Sequence, residues 1–184
     1  MVTMTARIVL VSGACGTGKT SLSRLLAEQS EQAHAVHFHT DDFYSYIRKG
    51  YIEPWQDGNG DQNEIVIEAM AASAARFAEG GYEVYVDGVI GPWFLEPWRK
   101  VTESGIDVRY IVLRPDEQTT VRRAAERAKQ EECPLDETVV RSMWQMMASL
   151  GAYEDHAVNT SGQSLKESAA LIQKRLAAGD FRLH

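Results

Sequence analysis

Cysteine is scarce in this chain: Cys15 and Cys133 are the only two in 184 residues. That is too few for a scaffold held by disulfides, and Cys15 lies in a glycine-rich stretch where a bridge would hamper close backbone approach to a ligand. Both read as free thiols. Long hydrophobic runs are missing as well. None approaches the roughly 18 residues of a membrane span, and the first residues lack the apolar core of a secretory signal. The expectation is a soluble, cytoplasmic protein with no membrane partner. Positive charge is in deficit, 19 Lys and Arg against 26 Asp and Glu for a net charge of −7. This disfavours a broad basic face for nucleic acid and favours small-molecule partners. No internal repeat or low-complexity tract interrupts a composition of 44% hydrophobic and 24% charged residues, which is ordinary globular usage. The length suits one domain over residues 1–184.

What is present is concentrated near the start. Gly13-Ala14-Cys15-Gly16-Thr17-Gly18-Lys19-Thr20 fills every fixed position of G-x-x-x-x-G-K-[ST], directly after the apolar run Ile8-Val9-Leu10-Val11. Glycines let consecutive N–H groups curl inward toward phosphate oxygens, and the next helix adds the partial positive charge of its N-terminus. Residues 13–20, with Ser21, are therefore the candidate nucleotide-binding set. Lys19 reaches the β and γ phosphates, and the Thr20 hydroxyl is a candidate Mg²⁺ ligand.

Apolar runs alternate with helical patterns down the chain, the mark of parallel βαβ units in an α/β fold with helices on both faces of the sheet. Strands are expected at 7–11, 35–38, 83–87, 106–113 and 156–159. Helices are expected at 19–29, with Leu22, Leu25 and Leu26 inward, and from Asp61 and Glu64 as a capping box to Gly80-Gly81. Others open at Asp116, span 136–150, and begin at Ser164 with Glu167.

A bound triphosphate leaves three classes open: hydrolysing switch or motor, phosphoryl transferase, and non-catalytic nucleotide sensor. Asp87 ends the run Val84-Tyr85-Val86-Asp87, so it should emerge at the carboxyl edge beside the phosphate loop, where it can hold Mg²⁺ directly or through water. Motor ATPases commonly follow that aspartate with a water-activating glutamate. Here Gly88 follows, and the guanine-reading Asn-Lys-x-Asp tetrad is also missing. Transferase gains by elimination. Asp41 follows the second strand and belongs in the same crevice, where a carboxylate can orient an acceptor hydroxyl and take its proton. Asp42 reads as a helix cap or a supporting ligand. Arg123 and Arg127 share a helix face and can close over the triphosphate as a lid, although Glu126 and Glu131 offer them ordinary surface partners.

This set resembles the small P-loop kinases of the chloramphenicol phosphotransferase, polynucleotide 5′-kinase and gluconate kinase group. The likeness rests on the phosphate loop, on His39-Thr40-Asp41-Asp42-Phe43 at the edge of the second strand, and on Arg114-Pro115-Asp116 leading to Arg123 and Arg127. It rests further on Cys133-Pro134-Leu135-Asp136 and Val140-Arg141-Ser142-Met143-Trp144. It implies a three-layer P-loop NTPase fold with a five-stranded parallel sheet of order 2-3-1-4-5 and a helical lid at about 116–135. It also implies ATP as donor, Asp41 as the hydroxyl-activating group, and Lys19, Arg123 and Arg127 as catalytic charges. The expected activity is transfer of the γ-phosphoryl group to a hydroxyl of a small metabolite or antibiotic. The alternatives are a polynucleotide or nucleotide kinase, and a nucleotide-binding regulatory protein with little turnover.

The acceptor side should be built from two aromatic-rich segments, about 43–62 and 89–100, whose Trp and Tyr side chains can line an apolar or sugar-stacking pocket. Arg48 and Lys49 read as a solvated basic turn. His37 and His39 alternate on a strand without the spacing of a metal site, and read as edge residues.

Overall fold

The computed structural model describes residues 7–131 and 136–184. Cys133, Pro134 and Leu135, and with them the end of the lid range, lie outside the described residues.

The first strand, β1 (Arg7–Ser12), runs through the middle of the molecule, and Ile8, Val9, Leu10 and Val11 are wholly inaccessible to solvent. A continuous apolar run is what a strand covered on both faces requires. Its alternation divides the core. Ile8 and Leu10 face a cluster with Ile67, Met70 and Trp98, whereas Val9 and Val11 face one with Leu22, Leu26, Ile172 and Leu176. Helices α3 (Gly60–Glu79) and α4 (Glu96–Glu103) supply the first layer, α1 (Lys19–Glu28) and α7 (Leu165–Ala177) the second.

The other strands are β2 (Ala35–His39), β3 (Glu83–Gly88), β4 (Asp107–Leu113) and β5 (Ala157–Val158). All pair in parallel in the order β2-β3-β1-β4-β5, the order that the resemblance implied. The register sets Asp87 beside Val11 on one side and His39 on the other. Helix α5 (Glu117–Gln130) starts at Asp116, whose carboxylate accepts the Thr119 N–H at 2.7 Å. It packs on α6 (Glu137–Met146) through Val121, Ala124 and Val140. The box of Ser164 and Glu167 at the start of α7 is present with both of its reciprocal bonds.

Several local expectations fail. No capping box joins Asp61 and Glu64: α3 already begins at Gly60, its cap position is Asn59, and no side chain caps it. Asn59 turns its amide instead to the Pro54 carbonyl, 2.5 Å away. The helix expected to reach Leu150 stops at Met146, and residues 151–156 form a 3₁₀ turn, so His156 precedes β5. Two helices were not anticipated: α4, and the short α2 (Thr40–Ser45) that follows β2 without a loop. The chain end was also unforeseen. It lies along β4, with the N–H groups of Tyr110 and Leu183 donating to Phe181 and Val108.

Candidate functional site

The phosphate loop joins β1 to α1. Gly16 has φ +87°, a left-handed conformation, and a Cβ there would overlap the Thr120 carbonyl on α5 and stand 2.9 Å from the Ala124 methyl. The loop therefore fits against α5 only without a side chain at this position. Beyond it, Gly16, Gly18, Lys19, Thr20 and Ser21 border a cavity of about 280 Å³ whose opposite wall carries Arg123 and Arg127. Gly13 and Ala14 are buried, and Cys15 is half-buried and free. The Lys19 ammonium is buried and donates to the Ala14 carbonyl at 3.2 Å. Burial pushes its pKa down, against the charges of Cys15, Asp87 and Asp41.

Thr20 donates its hydroxyl to Asp87 Oδ1 at 2.8 Å, so the two candidate Mg²⁺ ligands touch. A hydroxyl beside a carboxylate is a donor pair suited to a hard cation. Among the described residues no group of three or more His, Cys, Asp or Glu side chains is arranged to hold a metal ion. A cation held by Thr20 and Asp87 therefore needs further oxygens from phosphate and water. Asp87 is wholly buried, and more than Thr20 meets it. His39 Nδ1 donates to Oδ1 at 2.7 Å and His37 Nε2 to Oδ2 at 2.5 Å. Burial alone would raise the Asp87 pKa. The bonds from His37, His39 and Thr20 and the charge on His39 outweigh it and hold the carboxyl far below the usual range.

The far side of the His39 ring completes a bridge, its Nε2 lying 3.1 Å from Asp41 Oδ2. Carboxylates only accept, so an imidazole meeting one at each nitrogen carries both protons. Its pKa rises to about 10 through the hydrogen bonds it donates to Asp41 and Asp87, despite partial burial. The bond to His39 in turn lowers the Asp41 pKa, against desolvation. Asp41 thus stands ionised at the start of α2, fixed to the carboxylate that meets Thr20. His37 and His39 had read as bare edge residues. The signal was available in part: His37 and His39 stand two apart on β2, and a strand sends such positions to one face, whereas Asp41 lies beyond the strand in the first turn of α2. Asp42 is neither cap nor support; it is exposed, α2 has no side-chain cap, and its carbonyl accepts the Ser45 hydroxyl at 2.6 Å.

Gly88 explains the missing glutamate. Thr40 donates its hydroxyl to the Asp87 carbonyl at 2.5 Å, and a Cβ on Gly88 would overlap that hydroxyl. No side chain fits after Asp87 while α2 sits here.

The arginines divide. Arg123 donates to the Thr160 and Gln163 carbonyls at 3.2 and 3.3 Å, and borders both the phosphate cavity and a second cavity of about 320 Å³ between Leu22 and Leu165. The wall of that second cavity includes Thr160, whose buried hydroxyl has no partner. Arg127 is exposed, reaches Cys15 Sγ at 3.0 Å and pairs with Glu131 at 3.8 Å, while Glu126 pairs with Arg122.

On the acceptor side a cavity of about 400 Å³ is lined by Asp41 together with Tyr44, Ile47, Tyr51 and Trp55. The segment at 89–100 does not contribute to it. Trp98 and Leu95 are fully buried in the core instead, and Trp93 folds over Gly91. Leu95 and Trp98 stand three apart, a helical spacing that places both on the inward face of the α4 turn.

The sequence profile of a family described as an AAA domain matches residues 9–142. No curated protein matches the chain. Solved structures share the fold at low identity. The tunicamycin resistance protein of Deinococcus radiodurans superposes with a TM-score of 0.67 at 15% identity, covering 93% of this chain and 95% of the other. A gluconokinase from Sinorhizobium meliloti 1021 gives 0.63 at 18%, covering 96% and 98%. A mutant of the Mycobacterium tuberculosis APS kinase CysC gives 0.62 at 15%, covering 94% and 97%.

Proposed function

Because the chain belongs to the AAA-domain family of P-loop proteins, matched over residues 9–142, we propose that it is an ATP-dependent kinase that phosphorylates a hydroxyl of a small molecule. The observation that carries this reading is the Asp41–His39–Asp87–Thr20 chain, which ties a carboxylate at the mouth of an aromatic cavity to the phosphate loop. Gluconokinase and APS kinase, two proteins of the same fold, are kinases by name, which supports the class and leaves the acceptor open.

In this reading the loop N–H groups and Lys19 hold the β and γ phosphates of ATP, and Thr20 and Asp87 hold Mg²⁺ among phosphate and water oxygens. The bound ion would neutralise charge on the phosphates. Asp41 accepts the proton of the acceptor hydroxyl as its oxygen bonds to the γ phosphorus. The bond from that phosphorus to the β-phosphate oxygen breaks, and ADP leaves. Arg127, over the loop, offsets charge on the equatorial oxygens; Arg123 steadies the lid against residues 160–163 and reaches the same cavity. Gly88 denies a water-activating glutamate its place, which favours transfer over hydrolysis. A net charge of −7 weighs against nucleic acid as the acceptor.

The test is Asp41→Asn with γ-labelled ATP and a broad panel of alcohols. Label transfer should fall by about 10²–10⁴-fold, with ATP affinity by calorimetry unchanged. Transfer near the native rate would remove Asp41 from its role. ATP binding without transfer to any member by the native protein would favour a nucleotide sensor.

A further inference from the structure

The cavity beside Asp41 selects among alcohols by charge. Asp41 is the single formally charged residue in its lining; Arg48 and Lys49, on the same segment, are exposed and do not line it. The hydroxyls that border it are already committed as donors. Tyr44 donates to Asn63 Oδ1 at 2.9 Å, Tyr51 to Glu53 Oε2 at 2.9 Å, and Ser45 to the Asp42 carbonyl. An anionic group entering here would meet Asp41, find Glu53 behind Tyr51, and gain no cation from the lining; the His39 imidazolium beside Asp41 is held between Asp41 and Asp87, and the Trp55 indole N–H is the one uncommitted side-chain donor of the lining. It would lose most of its hydration uncompensated. The remaining wall is aromatic and aliphatic. Tyr51 and Trp55 keep 44% and 61% of their surface exposed beside the cavity, so their ring faces are free to stack. The volume fits one ring-sized molecule.

We propose that the acceptor is a ring-bearing alcohol without negative charge, its ring against Tyr51 and Trp55 and its hydroxyl at Asp41. The inference rests on the kinase reading for the hydroxyl, and on the cavity alone for the ring and the charge.

Three alcohols on one phenylpropanol frame test it: one neutral, one bearing an amine, one bearing a carboxylate. Binding is read by tryptophan fluorescence with Trp55→Phe as the control, and transfer by label from γ-labelled ATP. The neutral and amine members should bind, and the faster-labelled of the two tells a neutral acceptor from a cationic one. The carboxylate member should bind at least about tenfold more weakly. Ser45→Lys, which adds a cation to the lining, should improve binding of the carboxylate relative to the neutral member by about tenfold. Equal or tighter binding of the carboxylate, or failure of all three to bind, overturns the inference. Efficient label transfer to the carboxylate member would overturn it while leaving the kinase reading intact. Binding of the neutral member without label transfer to any alcohol would sink the kinase reading and leave the charge selection standing.

Discussion

Gln62→Ala should loosen the acceptor segment without loosening the fold. Residues 46–59 contain no helix or strand, yet they form a wall of the Asp41 cavity. Gln62 on α3 holds them as a neighbouring strand would: the Ile52 N–H donates to its Oε1 at 2.9 Å, and its Nε2 donates to the Ile52 carbonyl at 2.6 Å. Asn63 adds a bond to the Pro54 carbonyl at 3.0 Å. Two lost hydrogen bonds at about 0.5–1.5 kcal/mol each give about 1–3 kcal/mol. With tenfold per 1.4 kcal/mol, the closed segment loses about 5- to 100-fold in population relative to open forms. Amide exchange at Ile52, whose N–H has Gln62 as its partner, should accelerate by that factor. None of residues 46–59 belongs to a buried core cluster, so the thermal midpoint should fall by no more than a few degrees. Gln62→Glu should be worse than alanine, because it keeps the acceptor for Ile52 N–H but sets a carboxylate oxygen against the Ile52 carbonyl. The KM for the neutral phenylpropanol should rise about tenfold or more, with the KM for ATP unchanged. The reasoning is refuted if Ile52 exchanges at the native rate in the alanine variant, or if the glutamate variant behaves as native.

Two further substitutions probe the donor side and the bridge. Gly16→Ala puts a methyl against the Thr120 carbonyl in a left-handed conformation, strain of about 1–3 kcal/mol, and should weaken ATP binding by about tenfold in calorimetry; native affinity would mean that the lid helix yields freely. His39→Asn frees Asp41 from its tether, and should lower kcat by about 10- to 100-fold with acceptor KM within about threefold. A variant that instead loses acceptor affinity and keeps kcat would show that His39 shapes the cavity and does not orient the carboxylate.

The phosphate loop of the candidate site was legible because main-chain chemistry imposes spacing on sequence. Gly16 must lack a side chain to clear Thr120, and Lys19 and Thr20 must open the next helix, so the loop can be recognised from adjacent letters. The sheet was legible for a similar reason, since strands such as Ile8 to Val11 are buried on both sides and read as unbroken apolar runs. The acceptor half was legible only in part. Its aromatic segment at about 43–62 stood out, but nothing in the sequence marks Gln62 and Asn63 as the residues that hold Ile52 and Pro54. Trp98 misled in the other direction, because an aromatic after a strand end is equally suited to a pocket and to the core, and only its helical spacing from Leu95 points inward. The ends of α6 and β5 were misjudged for want of a local stop: no proline or glycine lies between Met146 and Leu150.

Asp87 explains why the proposed donor and acceptor residues come together. It is register-paired with β1 and with β2, its carboxylate gathers Thr20 from α1 and both histidines from β2, and its carbonyl takes the Thr40 hydroxyl from α2. One buried residue thus ties the phosphate loop, the middle of the sheet and the helix that bears Asp41. The same contact that seats α2 occupies the space beside Gly88. A glutamate there would have to push Thr40 away, displacing the first turn of α2 and with it Asp41. The placement of Asp41 and the lack of a side chain after Asp87 are therefore one structural choice. Any variant that installs a larger residue at Gly88 to gain hydrolysis should lose the geometry required for transfer.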